Sequence, residues 1–535
     1  MIKNTLNFLL VILFKICLDS FYIFIISPRY AYEGMVFDFN LIKYVFSWIL
    51  FIFLTINILK VKDKFLSICF NLEYSITILP LITYYALGNK NTVYIIYVFL
   101  CFYIQLYILN KKENKKKYTI HITDIKLYCS IFITVFIILT TGNILYQNGF
   151  HGLKAFDLIY LYKIRENINY SILFSYCVMW TRIVFIPFFI LYNFSIKRYF
   201  RSLFFIILQI ILYMGTGEKF NYLIILVILN FYVVLNLKIK NKNLILYSGL
   251  IFLIFFLFVY KNYMLISLLG ERFLFGPAVN KFLYYEFFSY YPKHYFADGI
   301  IGKSLGITYQ YIATSGQLVF AFFSKGRLFD SNSVTGYLGD GYAQAGFLGM
   351  LLFSFLKILL FKFISLTTNG VENKVRISLL AIPIILFNDA GFFTVFFSGG
   401  LFLIVLLLYI YPKKDIKNKD IFFIKYKIKD FFKILLFNSK KIISLGIIFV
   451  FSSMILSEIS FYRALDNYYH YSKIGDIEFS NLIFKNYYEH NNKFKNIFAS
   501  GILGCVLSSC FFILKDFIHV IKRLNKGEKN VTRFN

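Results

Sequence analysis

Apolar runs of about 20 residues recur from one end of this chain to the other. Coiled as an α-helix, such a run matches the hydrocarbon thickness of a bilayer, and a chain inside lipid must satisfy its backbone polar groups within each helix. The repetition restricts the fold to an all-α polytopic membrane protein. Composition agrees: the 535 residues are 59% hydrophobic and 21% aromatic, with a mean hydropathy of +0.67. Read one by one, the runs give about 14 spans. They are 6–27, 43–60, 65–87, 92–110, 125–146, 171–193, 202–214, 221–237, 244–260, 342–366, 376–388, 393–411, 442–457 and 497–514. Those at 202–214 and 376–388 are short enough to be tilted or broken. The first run, Leu6–Ile26, has no small-residue cleavage site and leads into further spans, so it reads as a retained helix rather than a signal peptide.

A net charge of +30 invites a nucleic-acid reading, but the placement of the charge argues against one. The basic blocks KKENKKK (111–117), IKRYFR (196–201), KIKNK (238–242), the Lys-rich stretch 413–441 and the C-terminus all fall on one side of the alternating spans. That is the positive-inside asymmetry of a multi-pass protein, with anionic membrane lipids as its natural contacts. It places both termini in the cytoplasm and leaves no polynucleotide surface. The seven cysteines, at 17, 69, 101, 129, 177, 505 and 510, sit in apolar segments without a CxxC pair, so neither a disulfide framework nor a metal cluster is expected.

The outer loops are then 28–42, 147–170, 261–341 and 458–496. Residues 1–411 form a polytopic core whose long outer-face loop segment is 261–341. Residues 412–535 form a two-helix appendix around outer loop 458–496. No period of 20–50 residues signals a solenoid. The long segment begins YKNYMLISLLGERFLFGPAVNKFLYYEFFSYYPKHYFADG and closes in FDSNSVTGYLGDGYAQAGFLG. A stretch rich in Arg, Glu, His, Tyr and Asp between membrane helices is where a polytopic enzyme would keep its chemistry.

Nucleotide loops, a dinucleotide fingerprint and HExxH are absent, and so is a DxD pair for a metal-bound sugar nucleotide. What stands out is a set of outward cations: Arg165, Arg182 inside a span, Lys219 in the turn MGTGEKF, and Arg272 in LLGERFLFGP. An Arg within the membrane is costly unless it is paired or faces a polar cavity. The structural alternative for Arg182 is an ion pair with Asp19, Glu73 or Asp389, and for Arg165 and Lys219 it is interfacial snorkelling. A diphosphate needs such cations, because guanidinium forks bind it bidentately and fixed charges stabilise a leaving phosphate. An acceptor hydroxyl would need a general base, for which Glu286, His294, Asp330 and Asp340 are candidates against the plainer reading of solvated loop residues. Tyr284, Tyr285, Tyr290 and Tyr291 could stack on sugars or form an interfacial aromatic belt. Asp340, just before a span expected to start at Tyr342, could equally cap that helix.

Four places together resemble the Wzy-type oligosaccharide repeat-unit polymerases: Arg165 in YKIR, the basic residue after the turn GTGEK, the run from Arg272 through YYEFF to Pro292, and GDGYAQAGFLG before a helix. The resemblance covers roughly residues 125–411. It implies a fold related to membrane-embedded glycosyltransferases in a bacterial inner membrane, and an undecaprenyl-diphosphate-linked donor chain. It also implies a lipid-linked repeat unit as acceptor, with no cofactor and no metal. A chain-length regulator and a flippase are the partners such a family implies. Lys219 stands where many members carry Arg, and the appendix 412–535 exceeds the expected pattern. An O-antigen ligase would share the same chemistry. A lipid-linked oligosaccharide flippase would instead favour inverted repeats and a charged track, and neither is visible in the sequence.

Overall fold

The computed structural model describes residues 2–111, 117–122, 126–149, 170–218, 220–237, 241–299, 302, 305–311, 313–324, 332–368, 370–410 and 421–426, with four isolated positions beyond 449. Ten helices among them are long and apolar enough to cross a membrane, so the chain is a polytopic membrane protein. Two more expected spans fall on the 17-residue helices Phe220–Asn236 and Asn373–Asp389, the second with Pro383 inside it. The expected spans 442–457 and 497–514, like most of the appendix, lie outside the described residues.

Helix starts follow side-chain capping. Asn40, Asp63, Asn91 and Ser171 each accept a hydrogen bond from a backbone N–H in the first turn of the helix they precede. Four of the seven prolines explain a second regularity. Pro28, Pro80, Pro187 and Pro277 each stand two residues beyond a π-helical stretch, at Tyr22–Ile26, Tyr74–Ile78, Thr181–Phe185 and Ile266–Phe275. Proline lacks an N–H and its ring crowds the carbonyl one turn back, and widening that turn relieves both problems without ending the helix.

Contacts between helix ends sort them onto two faces. On one, the backbone bridges Asp38 to Gly88, and the Lys43 ammonium donates to the carbonyls of Asn89 and Lys90. On the other, Asn110 reaches the Asn57 carbonyl, Asn241 reaches Asn7, Ser365 reaches Asp63, and Lys374 reaches Asn236. The short strands Lys117–Ile122 and Ile421–Tyr426 pair in parallel, which puts two of the basic linkers on a single side. Every one of these contacts joins ends that the alternation of spans assigns to the same face. The first face is the one the lysine distribution assigns to the outside.

Two features depart from the expected layout of the long segment. The first part is not a solvated loop: Tyr263–Tyr290 is helical almost throughout and packs on the bundle through Phe275, Phe282 and Phe288. The second departure concerns the span expected from Tyr342. Tyr337–Thr367 is two helices, broken at Ala345 (φ −149°, ψ 29°) and Gly346 (φ 63°, ψ −145°). A straight helix would separate residues 337 and 357 by about 30 Å. Instead the Lys357 ammonium lies 4.0 Å from the centre of the Tyr337 ring, and both residues bond the same oxygen of Glu73. A Cβ on Gly349 would stand 2.0 Å from the Gly341 carbonyl, so the two backbones touch. Residues 337–344 are therefore a short re-entrant arm that lies antiparallel against 347–357. Only Gly satisfies both demands here, a positive φ at the turn and direct backbone contact below it.

Candidate functional site

The turn of this hairpin brings together two of the sequence-derived candidates, Asp340 and His294. The strap 292–298 runs along it and turns at 295–298. The His294 N–H donates to the Ala343 carbonyl at 2.9 Å, the Tyr295 N–H to the Gln344 carbonyl at 2.8 Å, and the Phe296 N–H to Gln344 Oε1 at 2.7 Å. Tyr295 and Phe296 both hold positive φ, 52° and 67°, a conformation that non-glycine residues keep only where neighbours enforce it. Gln344 then spends its amide on two carboxylates, donating from Nε2 to Asp298 Oδ1 at 2.7 Å and to Asp340 Oδ1 at 3.2 Å. Asp340 also accepts the backbone N–H of Phe392. Its other oxygen fills the space where a side chain at 391 would begin, because a Cβ on Gly391 would lie 2.1 Å from Asp340 Oδ2. Asp340 thus does not cap a helix starting at Tyr342. It sits inside the re-entrant arm and faces the start of the helix Phe392–Phe396.

His294 lies behind this pair. It is 3% exposed, and its ring is enclosed by Phe288, Tyr309 and Tyr311 at centroid distances of 4.7, 5.2 and 5.2 Å. Among the described residues neither ring nitrogen has a hydrogen-bond partner. Burial pushes its pKa down and the nearby Asp298 carboxylate opposes the shift, so the imidazole is neutral at pH 7. Lys293, a cation that the sequence reading passed over, lies across Tyr342 at 5.5 Å from the ring and donates to the Phe288 carbonyl.

The other candidates are scattered. Glu286, on the helix Gly276–Tyr290, is half-buried near Lys90; burial pushes its carboxyl up and the Lys90 charge opposes this. Tyr284 is buried and donates its hydroxyl to the Ser333 carbonyl at 3.0 Å, so its ring belongs to the packing rather than to a sugar platform. Tyr285 packs against Tyr94 and Tyr342, both at 4.9 Å, and Tyr291 packs against Phe287 and Phe322. Tyr290 is 77% exposed. Arg182, in the π-turn Thr181–Phe185, pairs with Glu218 and not with Asp19, Glu73 or Asp389. Asp19 and Glu73 are instead held by Lys15 and Lys357. The Arg272 side chain is 66% exposed, with Nε 3.6 Å from Glu271. Arg165, Lys219 and Asp330 lie outside the described residues.

Asp298, Gln344 and Gly391 were missed. Gln344 carried a usable signal: it follows Asp340 by four residues, the spacing that puts two side chains on one helical face, in an otherwise apolar stretch. Asp298 carried none, because its pairing spans a gap in sequence that only the fold closes. No family model, curated protein or solved structure matches the chain.

Proposed function

We propose that this chain is a membrane-embedded glycosyltransferase that joins lipid-diphosphate-linked oligosaccharide repeat units at the outer face of a bacterial inner membrane. The observation that carries the reading is the Asp298–Gln344–Asp340 cluster. Two carboxylates from separate parts of the long segment are held by one amide at the turn of a re-entrant hairpin. Such a carboxylate can take the proton of an acceptor hydroxyl as its oxygen attacks the donor's anomeric carbon. The bond from that carbon to the diphosphate breaks with inversion, and the lipid diphosphate leaves with the electron pair. Lys293, beside the turn, is a described cation near the cluster that could meet the leaving group, whereas Arg182 is committed to Glu218. Asp340 or Asp298 is the base in this reading, and His294 supports the strap.

The test is the surface-glycan profile of a deletion strain carrying plasmid copies of the gene. The wild-type copy restores a ladder. Asp340→Asn and Asp298→Asn leave single-repeat bands, with a loss of at least about a hundredfold in polymer. Long chains left on the lipid carrier would identify a ligase instead.

A second reading has its own observation. A discontinuous helix with buried membrane charges, Lys15 with Asp19 and Lys357 with Glu73, is how transporters build their pathways. Under that reading the deletion traps repeat units on the inner leaflet and no outer-face glycan forms.

A further inference from the structure

Glu73 is buried within an apolar membrane-spanning stretch, Lys64–Leu87, at the end of the helix Lys64–Glu73 just before a π-turn. One of its oxygens, Oε1, accepts from the Tyr337 hydroxyl at 2.7 Å and from the Lys357 ammonium. Tyr337 opens the re-entrant arm, and Lys357 lies on the returning helix beyond the break at 345–346. A single carboxylate oxygen therefore holds both arms of the hairpin. Gln105, from a third helix, donates to the Tyr337 hydroxyl at 3.3 Å, and the Lys357 charge is shared with the Tyr337 ring. Asp340 follows Tyr337 by less than one turn, and Gln344 by two. Whatever fixes Tyr337 fixes the position and rotation of both.

We propose that Glu73 is a positioning residue that clamps the hairpin shut from within the membrane and so sets Asp340 and Gln344 against Asp298. The role of the clamp in catalysis rests on the glycosyltransferase reading above, whereas the clamp itself does not. Removing one partner leaves a buried charge uncompensated, while neutralising both keeps a hydrogen bond from Tyr337 without a stranded charge. A proton-carrying or transport pair would behave in the opposite way, because it needs its charges.

The experiment is hydrogen exchange by mass spectrometry on the full-length protein in nanodiscs, with the glycan ladder of the same variants in cells. Glu73→Ala and Lys357→Met are expected to raise exchange in 337–344 at least tenfold, leave 92–110 within twofold, and collapse the ladder. Tyr337→Phe removes one hydroxyl and no charge, so it should fold, with a smaller rise confined to 337–344. The double variant Glu73→Gln/Lys357→Gln should return both exchange and ladder to within twofold of wild type. Unchanged exchange in 337–344 in Tyr337→Phe and both single charge variants would overturn the clamp. Restored exchange with no ladder in the double variant would overturn positioning, because the charges themselves would then be needed. If Asp340→Asn leaves the ladder intact, the glycosyltransferase reading falls, while the exchange data still decide the clamp.

Discussion

At the scale of single residues, the site depends on what two glycines leave out. Gly391 gives Asp340 Oδ2 its place, and Gly349 lets the hairpin arms touch. Adding a methyl group at either position forces the neighbour to move, and overpacking of this kind costs about 1–3 kcal/mol. Gly391→Ala should therefore displace Asp340 and collapse the glycan ladder, with the protein still eluting as a single species on gel filtration. Gly349→Ala should also lower the melting temperature. Glu271 makes a pH prediction. Burial, with the Glu33 charge beside it, pushes its carboxyl up to about 7. An acid whose folded pKa is raised binds its proton more tightly when folded, so it favours the folded state at low pH. That contribution is full below the ordinary carboxyl range and is lost as pH rises towards 7. The thermal midpoint should fall between pH 5 and pH 8, and Glu271→Gln should flatten that slope.

At the scale of elements, the prolines connect sequence to function. Pro187 imposes the π-turn that carries Arg182, and a π-turn contains one residue more than the helix it interrupts. Pro187→Ala allows a regular helix, and one residue of register is a rotation of about 100°. Arg182 should then leave Glu218. The check is a charge-swap assay: Arg182→Glu/Glu218→Arg should outperform either single change in the parent, and this coupling should vanish in the Pro187→Ala background. Elements also show how much the sequence disclosed. The apolar runs placed twelve of the expected spans on described helices, because length and hydropathy are local properties. The re-entrant arm was hidden because GYAQAGFLGMLLFS reads as the start of one continuous apolar helix. Its break lies in the backbone of Ala345 and Gly346, not in composition. Of the site, Asp340 and His294 were legible as polar residues in the right segment. The true surroundings of Asp340 were not, since Asp298 and Gly391 meet it from parts of the chain more than 40 residues away.

For the molecule as a whole, the sorting of helix ends onto two faces is the strongest constraint. Linkers 111–124 and 411–441 must share a side, because their strands pair. A small epitope inserted at Asn114 and one inserted at Asn418 should respond identically to a membrane-impermeant reagent added to intact cells. Opposite responses would break the topology. The same frame explains why isolated cations were poor guides. A multi-pass chain buries charges for packing as well as for chemistry, and here Lys15, Lys357 and Arg182 each meet a carboxylate.

The re-entrant arm also bears on how this protein is made. Eight residues of helix reach only about 12 Å, too short to be released sideways into lipid as a membrane span. The arm must first emerge on the far side with the rest of the long segment and then sink back between helices already in place. Two of the groups that receive it, Gly391 and the Phe392 amide, belong to a part of the chain synthesised about 50 residues later. The corner that holds Asp340 is thus among the last parts of the core to assemble during biogenesis, and the insertion machinery could build a complete set of spans around a hairpin that has not yet formed.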